Sequence, residues 1–362
     1  MGPELDAMSS RRARHGKFAS TLRPAALLVP VLLVLCVHRL SVALATTENG
    51  VGARSEQRPI SPQDALIREM LSQHAALSEA FAAVFEIRVD KDFPLGPDRG
   101  GYTMTCRYTA SQSTEALSVE THYDADPVYQ PPGKPWMRDL DFDVDGNMIV
   151  SRKLREVSLS TADFNRTSQK EEMLLVSPSG EVVNAGSHVI VFKYPVGERG
   201  SMYHFDHFTL VAGRGFRAEL EGVKAKRVLA DGIHELACTV EYGPGSRGDW
   251  FLYVDPQEGN LVRKADMFFP GRDRPSIHME NGGVMREDGL ALASGGSVSF
   301  RGDEEHSYVL KVSVIDFSAQ ADLELLDRIR AVVRGPYPPG TDIMDRTAFP
   351  SRRYPADQEA GE

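Results

Sequence analysis

Alternation of apolar and polar residues is the dominant pattern along the chain, and it begins near residue 81. Phe85, Ile87 and Val89 alternate with charged residues, which predicts a strand that buries one of its faces. Similar runs cover residues 102–109, 235–242 and 308–314. Turn-forming sequences at 145–147 and 255–260 punctuate the strands. Many strands joined by tight turns indicate a mostly antiparallel sheet.

Three segments show the spacing of a helix instead. The first begins after Ser61, which suits the N-cap, with Pro62 in the first turn and Asp64 completing a capping box. Its apolar residues recur at roughly helical spacing, so this helix is predicted to dock one face on the sheet. These residues are Leu66, Ile67, Met70, Leu71 and Leu77. Two shorter helices are predicted over residues 216–223 and 320–333. The fold class is therefore mainly β, of the α+β type.

The N-terminal 45 residues are organised like an export signal. A basic stretch precedes an apolar run over residues 25–37, and Ala43-Leu44-Ala45 then gives a small-x-small cleavage pattern. The run is shorter than the roughly 20 residues that a membrane helix needs. We therefore predict that residues 1–45 form a signal peptide. The alternative is an uncleaved anchor, which would be the protein's only membrane contact. In both cases the protein is exported, to the periplasm or the extracellular space.

Beyond this leader, composition divides the chain into three parts. Residues 46–60 are polar and are predicted to form a linker. Residues 61–345 contain the predicted strands and helices and are expected to form one elaborated β domain. The segment 346–362 is polar and is predicted to be a disordered tail.

The charge balance excludes one class of partner. The chain has 41 Lys and Arg residues against 51 Asp and Glu residues, a net charge of −10. Residues 1–45 alone carry +4, which leaves −14 for the remainder. A nucleic-acid-binding protein needs a basic surface to displace counterions from phosphates. Nucleic acid is therefore excluded as a partner.

Two glycine-rich segments match dinucleotide-binding patterns by letter but not by context. Residues 243–248 read GxGxxG between two predicted strands, which favours a hairpin. Residues 213–218 match the GxGxxA variant, but no alternating βαβ series surrounds them. A structural strand-to-helix turn is the favoured interpretation there. We predict no cofactor.

Acidic residues and histidines provide no complete metal site in the sequence. Alternate aspartates over residues 139–145 resemble the start of a calcium loop. If the loop is counted from Asp141, its twelfth position is Arg152 instead of the glutamate that an EF-hand needs. His204 and His207 would diverge on a strand and meet on a helix, with no third ligand nearby in sequence. We predict no metal site and no catalytic residues.

Two cysteines beyond the leader leave their pairing open. Cys106 and Cys238 both lie on the apolar phase of predicted strands. In an oxidising compartment they can form a disulfide if those strands are neighbours. Two separate buried thiols are the alternative.

Four segments together resemble a known fold family. They are the capped helix that leads into a strand over residues 61–89, the sequence Gly213-Arg214-Gly215-Phe216, the sequence WFLYVDPQEG at 250–259 and the sequence PPGTDIMD at 338–345. In this combination residues 61–345 resemble exported bacterial proteins of the LolA/LolB-like lipoprotein-carrier fold. The resemblance implies an N-terminal helix on an open, strongly curved antiparallel sheet, a half-barrel whose concave apolar face holds acyl chains or a lipidated partner. It implies no catalytic residues. The long segments 126–196 and 272–301 are expected to add strands or a flap.

The apolar phases of the predicted strands supply the candidate ligand-lining residues. These are Phe85, Ile87, Tyr102, Met104, Leu310 and Val312. The alternative is that these side chains pack against one another as an ordinary core.

The sequence therefore predicts an exported, non-enzymatic protein that binds a lipid, a lipidated protein or another apolar ligand. One alternative is an envelope interaction or sensor module that uses the same fold to bind cell-envelope proteins. The other is a secreted hydrolase with a dispersed site, for which His204, His234 and His278 are the candidate bases.

Overall fold

The structure is a computed structural model. It describes residues 64–90, 101–131, 141–196, 202–243, 246–301, 307–347 and 350–357. The predicted leader, the predicted linker, Ser61 and Pro62 lie outside the described residues. Among the helices in the described ranges, none has both the length and the apolar character that crossing a membrane would require.

The described chain contains four helices and eighteen strands. The helices are α1 (Ala65–Glu79), α2 (Tyr203–Val211), α3 (Arg217–Glu221) and α4 (Leu323–Arg334). The first nine strands are β1 (Ala80–Asp90), β2 (Tyr102–Ser111), β3 (Thr114–Tyr123), β4 (Asp141–Phe142), β5 (Met148–Ser160), β6 (Asn165–Val176), β7 (Val182–Lys193), β8 (Val223–Val228) and β9 (His234–Gly243). The others are β10 (Ser246–Asp255), β11 (Leu261–Phe268), β12 (Ile277–Gly282), β13 (Met285–Glu287), β14 (Leu290–Leu292), β15 (Gly295–Arg301), β16 (Ser307–Ser318), β17 (Asp342–Asp345) and β18 (Arg352–Pro355).

Sixteen of these strands form one open sheet, and β13 and β14 form a separate hairpin. The order in the large sheet is β18-β17-β7-β6-β5-β3-β2-β1-β16-β15-β12-β11-β10-β9-β8, with β4 paired to β5 beside this path. Neighbouring strands are antiparallel except β17 and β7, which are parallel. The sheet is curved and does not close into a barrel. The predicted fold class, a curved, open, antiparallel sheet with an N-terminal helix, is confirmed.

Helix α1 begins later than the sequence suggests. Its N-cap is Asp64, whose Oδ1 accepts a hydrogen bond from the Leu66 backbone N–H at 3.0 Å. The same carboxylate pairs with Lys226 on β8 at 3.1 Å. The expectation that Asp64 would complete a box begun by Ser61 is therefore wrong. One aspartate caps the helix by itself, as Asx residues commonly do.

The other helices agree with the sequence in part. Helices α3 and α4 lie within a few residues of the segments predicted at 216–223 and 320–333. Helix α4 is capped by Asp322, which accepts a hydrogen bond from Leu325 N–H at 2.8 Å. Helix α2 was not predicted. It precedes the turn at 213–216, so that turn joins two helices instead of a strand and a helix.

The central strands bury side chains on both faces of the sheet. Along β1 every second residue is buried, and this phase defines the inner face, which carries Phe85 and Ile87. Helices α1, α2 and α3 contribute to the large apolar core on this inner face. On the opposite, outer face, helix α4 packs against Ala116, Val157 and Leu159 in a smaller apolar cluster.

The long segments expected to add strands or a flap add strands. Strands β4–β7 lie within 126–196, and β12–β15 lie within 272–301. Near the C-terminus, β18 pairs with β17, with Asp342 opposite Pro355. The prediction of a disordered tail over 346–362 is therefore wrong for residues 352–355, because β17 offers its backbone as a partner.

Candidate functional site: the inner face and helix α2

The six candidate ligand-lining residues come together on three adjacent strands. Register places Ile87 of β1 opposite Met104 of β2 and Val312 of β16, and Val89 opposite Tyr102 and Leu310. Phe85 and Ile87 have no exposed surface, and Met104, Leu310 and Val312 are buried. Tyr102 is partly buried against the same core. The sequence therefore located one continuous apolar surface, the inner face of β2, β1 and β16.

Helix α2 covers this surface. The Phe208 ring stacks on Phe85 with a centroid distance of 4.4 Å, and the Phe205 ring stacks on Tyr108 at 3.4 Å. Where α2 ends, Asn281 Nδ2 donates to the Val211 carbonyl at 2.8 Å. Helix α2 therefore packs on the inner face, with Phe208 directly against the predicted lining residue Phe85.

Two histidines on α2 are buried without hydrogen-bond partners. His204 and His207 are 4% and 6% exposed, and none of their four ring nitrogens bonds to any residue that the structure describes. Burial lowers the pKa of both imidazoles, and Lys153 lowers that of His204 further. The pKa of His207 falls to about 4. Both side chains are therefore neutral at pH 7.

An ion pair on β5, between the buried Glu156 and the partly buried Lys153, lies beside the N-terminal end of α2. Lys153 Nζ is 2.5 Å from Glu156 Oε2, and Gln169 Nε2 donates to the same oxygen at 2.8 Å. Burial acts to lower the pKa of Lys153, but the Glu156 carboxylate raises it overall. The Lys153 ammonium also lies 6.0 Å from the centroid of the Tyr203 ring. Helix α2 therefore begins against a charged pair and continues over aromatic rings.

The three histidines considered as candidate bases differ in the partners that they have within the described ranges. His278 Nδ1 is 2.6 Å from Asp266 Oδ1, but this pair lies on the outer face. Ser299 is opposite His278 in register, yet no hydrogen bond joins their side chains. His204 and His234 contact no nucleophile through a hydrogen bond in the described ranges. In the same ranges, no three His, Cys, Asp or Glu side chains are placed to hold a metal ion.

Cys106 and Cys238 are separate buried thiols. They lie on β2 and β9, which are separated in the sheet by β1, β16, β15, β12, β11 and β10. The disulfide alternative is therefore wrong for this fold, because the two strands are not neighbours. Burial raises the pKa of both thiols, which keeps them protonated and unreactive.

The two glycine-rich motifs are structural. Strands β9 and β10, on either side of the first motif, pair antiparallel with Gly243 opposite Ser246, as expected for a hairpin. In the second motif, Gly213 has φ +78°, and a Cβ there would lie 2.9 Å from the Val262 carbonyl oxygen. The buried Arg214 guanidinium donates to the carbonyls of Ala291 and Gly259, both at 2.8 Å. This arginine ties the turn after α2 to two other segments.

Comparisons with known proteins show only distant similarity to solved structures and assign no function. No protein-family model and no curated protein matches the sequence. A DUF1329 family protein from Desulfovibrio piger is similar at 10% identity and TM-score 0.34, covering 73% of this chain and 95% of its own. A LolA superfamily protein from Nitrosomonas europaea is similar at 10% identity and TM-score 0.30, with coverage of 69% and 92%. LprF from Mycobacterium bovis is similar at 11% identity and TM-score 0.25, with coverage of 72% and 95%. The N-terminal helix and the open, curved antiparallel sheet that the resemblance implied are present in the structure.

Proposed function

We propose that this is an exported, non-enzymatic binding protein for a lipid, a lipidated protein or another apolar ligand, and that the ligand replaces helix α2 on the inner face. One observation carries the proposal. The helix that covers the predicted lining residues brings four unpartnered histidine nitrogens into the core. A helix selected only to fill a core would place apolar side chains at His204 and His207.

The free energies involved in replacing α2 by an acyl chain on the inner face support this proposal. A buried polar group without a partner costs about 1–3 kcal/mol. Releasing α2 returns the imidazoles to water, which offsets part of the apolar contact that Phe205 and Phe208 lose. An incoming acyl chain contributes about 0.8 kcal/mol for each CH₂ group that it buries. A chain of several methylenes can therefore compete with α2 for the inner face.

An envelope interaction or sensor module is the second candidate. It is favoured by the absence of exposed surface on Phe85 and Ile87, since a face filled by its own helix needs no ligand. In that case α2 would remain docked, and the function would reside on another surface.

Native mass spectrometry of the protein purified from its own cell envelope tests the proposal. We expect a lipid or acyl species to be retained, and we expect the purified protein to bind a fluorescent fatty acid. The double variant His204→Leu/His207→Leu should dock α2 more firmly and weaken ligand binding at the inner face. His234→Leu on β9 removes a histidine away from α2 and is the matched control. Recovery of only ligand-free protein, with no binding of the fatty acid, would contradict the proposal.

A further inference from the structure

A groove lies on the outer face, between helix α4 and strands β3 and β5. Its volume is about 340 Å³. It is lined by Ser118, Arg155, Val157, Leu325, Arg328, Ile329, Ala331 and Val332. Small-molecule sites typically measure about 300–1,000 Å³, so this groove suits a slender ligand.

The floor of the groove is apolar and held in place. Val157 and Ile329 are 3% and 2% exposed, and they belong to the cluster that fixes α4 on the sheet. The N-terminal end of α4 is anchored twice, because Asp322 caps the helix and its backbone N–H donates to Thr109 Oγ1 at 2.9 Å. Val332 is 41% exposed. The groove is therefore a preformed apolar channel that opens to solvent.

Both charged residues in the lining are arginines, and both are free to bind an anionic group. Arg155 and Arg328 are exposed, and neither forms a hydrogen bond or an ion pair with any residue in the described ranges. Glu120 faces Arg155 across the strands without pairing with it. By contrast, Arg330 on the same helix is 2.6 Å from Asp327. The lining contains no acidic side chain, although the chain as a whole is acidic.

We propose that this groove binds a free fatty acid. The acyl chain lies along Val157, Ile329 and Val332, and the carboxylate is received by Arg155 and Arg328. Two guanidinium groups beside an apolar channel select an anionic head on an apolar tail, and the volume selects one chain. This site is independent of the inner face, because it lies on the opposite side of the sheet.

Isothermal titration calorimetry of the full chain with dodecanoate tests the site. The methyl ester of dodecanoate and dodecyltrimethylammonium are the neutral and cationic ligand controls. We expect dodecanoate to bind, and the double variant Arg155→Gln/Arg328→Gln to weaken it about tenfold, since two solvent-exposed charge contacts are lost. Ala331→Trp should fill the groove and abolish binding at this site, leaving only the binding that takes place at the inner face. Arg330→Gln removes the same charge from α4 outside the groove and should leave the affinity unchanged.

The outcomes separate this proposal from the one on the inner face. Loss of the groove component of dodecanoate binding in the groove variants, with that component retained in His204→Leu/His207→Leu, supports the groove. No dodecanoate binding to the unmodified chain overturns it, as does equal binding of the methyl ester. Unchanged binding in Ala331→Trp, with circular dichroism showing a folded chain, also overturns it.

Discussion

The two faces of the central sheet differ in what covers them. On the inner face, helix α2 places aromatic rings on Phe85 and Tyr108 and buries two histidines without partners. On the outer face, α4 buries only apolar residues and leaves an open groove with unpaired arginines. The inner face is thus fully covered, but its covering helix buries histidine nitrogens that lack hydrogen-bond partners. The helix on the outer face buries no such polar group, but it leaves a groove open to solvent. In the two proposals, a ligand at the inner face must displace α2, whereas a ligand at the outer face only inserts into the groove.

The largest effect is expected from removing an aromatic ring at the inner face. Phe208→Ala should lower the free energy of unfolding by about 3–5 kcal/mol, because Phe208 is fully buried between aromatic neighbours. Ile329→Ala on α4 should cost about 2 kcal/mol, at the lower end for such a change, since its groove already admits solvent. Urea unfolding of both variants measures the difference. An equal or smaller cost at Phe208 would contradict the asymmetry between the faces.

Acid should destabilise the inner face over a defined interval. The pKa of His207 is about 4 in the folded chain against an ordinary value of 6.5. The unfolded chain therefore binds more protons, and stability is lost as pH falls from 6.5 towards 4. We expect about 2 kcal/mol less stability at pH 5 than at pH 7 from this histidine. The lowered pKa of His204 acts in the same direction.

Urea titrations at pH 7, 6 and 5 measure this loss. The charged groups facing the imidazoles are Lys153 and Glu156, and the pKa of Lys153 is raised, so it stays protonated throughout. Carboxylates with lowered pKa, such as Asp64, titrate below the interval. The variant His204→Asn/His207→Asn keeps polar side chains but removes the titration. A flat profile in the unmodified chain, or the same slope in the variant, would refute the assignment.

Replacing one histidine should stabilise the chain at neutral pH. His207→Leu removes two unpartnered buried nitrogens and keeps a good helix former on α2, so we expect a gain of about 1–2 kcal/mol. Thermal unfolding at pH 7 provides the measurement. A loss of stability would show that the His207 ring makes a contact more valuable than its unpaired nitrogens cost.

The cap of α4 should contribute less than either histidine effect. Asp322→Ala removes the side chain that accepts from Leu325 N–H, which should cost about 1 kcal/mol. Asp322→Asn retains a capping oxygen and should lower the free energy of unfolding by only about a few tenths of a kcal/mol. Similar losses in both variants would mean that the aspartate charge, and not its hydrogen bond, holds this end of the helix.

The smallest effect is expected at the arginines of the groove. Arg155→Gln should change the free energy of unfolding by no more than about 0.5 kcal/mol, since Arg155 is exposed and unpaired. A larger loss in urea unfolding would assign this residue a structural role and weaken its assignment to a ligand.

The strands could be predicted from the sequence because the alternation of apolar and polar residues is a local pattern. The alternation around Phe85 and Ile87 reports burial on one face, and the structure places both residues on the inner face. Helix α2 could not be predicted from the sequence because it is buried on most of its sides. His204, Phe205, His207 and Phe208 are all buried, so the polar face that gives a helix its period is missing. The local pattern around His204 was compatible with a strand and with a helix.

Which distant strands become neighbours in the sheet could not be predicted for a different reason. Whether Cys106 can meet Cys238 depends on the order of strands, and six other strands lie between β2 and β9 in the sheet. The parallel pairing of β17 with β7 likewise joins Asp342 to Ile190, far apart in the chain. The groove depends on where α4 docks, so its arginines carried no signal in the sequence.

Hydrogen–deuterium exchange of residues 203–211 tests the central claim most directly. The measurement uses the Arg155→Gln/Arg328→Gln chain, in which the outer groove is impaired, with and without excess cis-parinaric acid. We predict that ligand binding speeds exchange of the α2 amides, because the helix leaves the inner face. Bound ligand with α2 amides equally or more strongly protected would contradict the account.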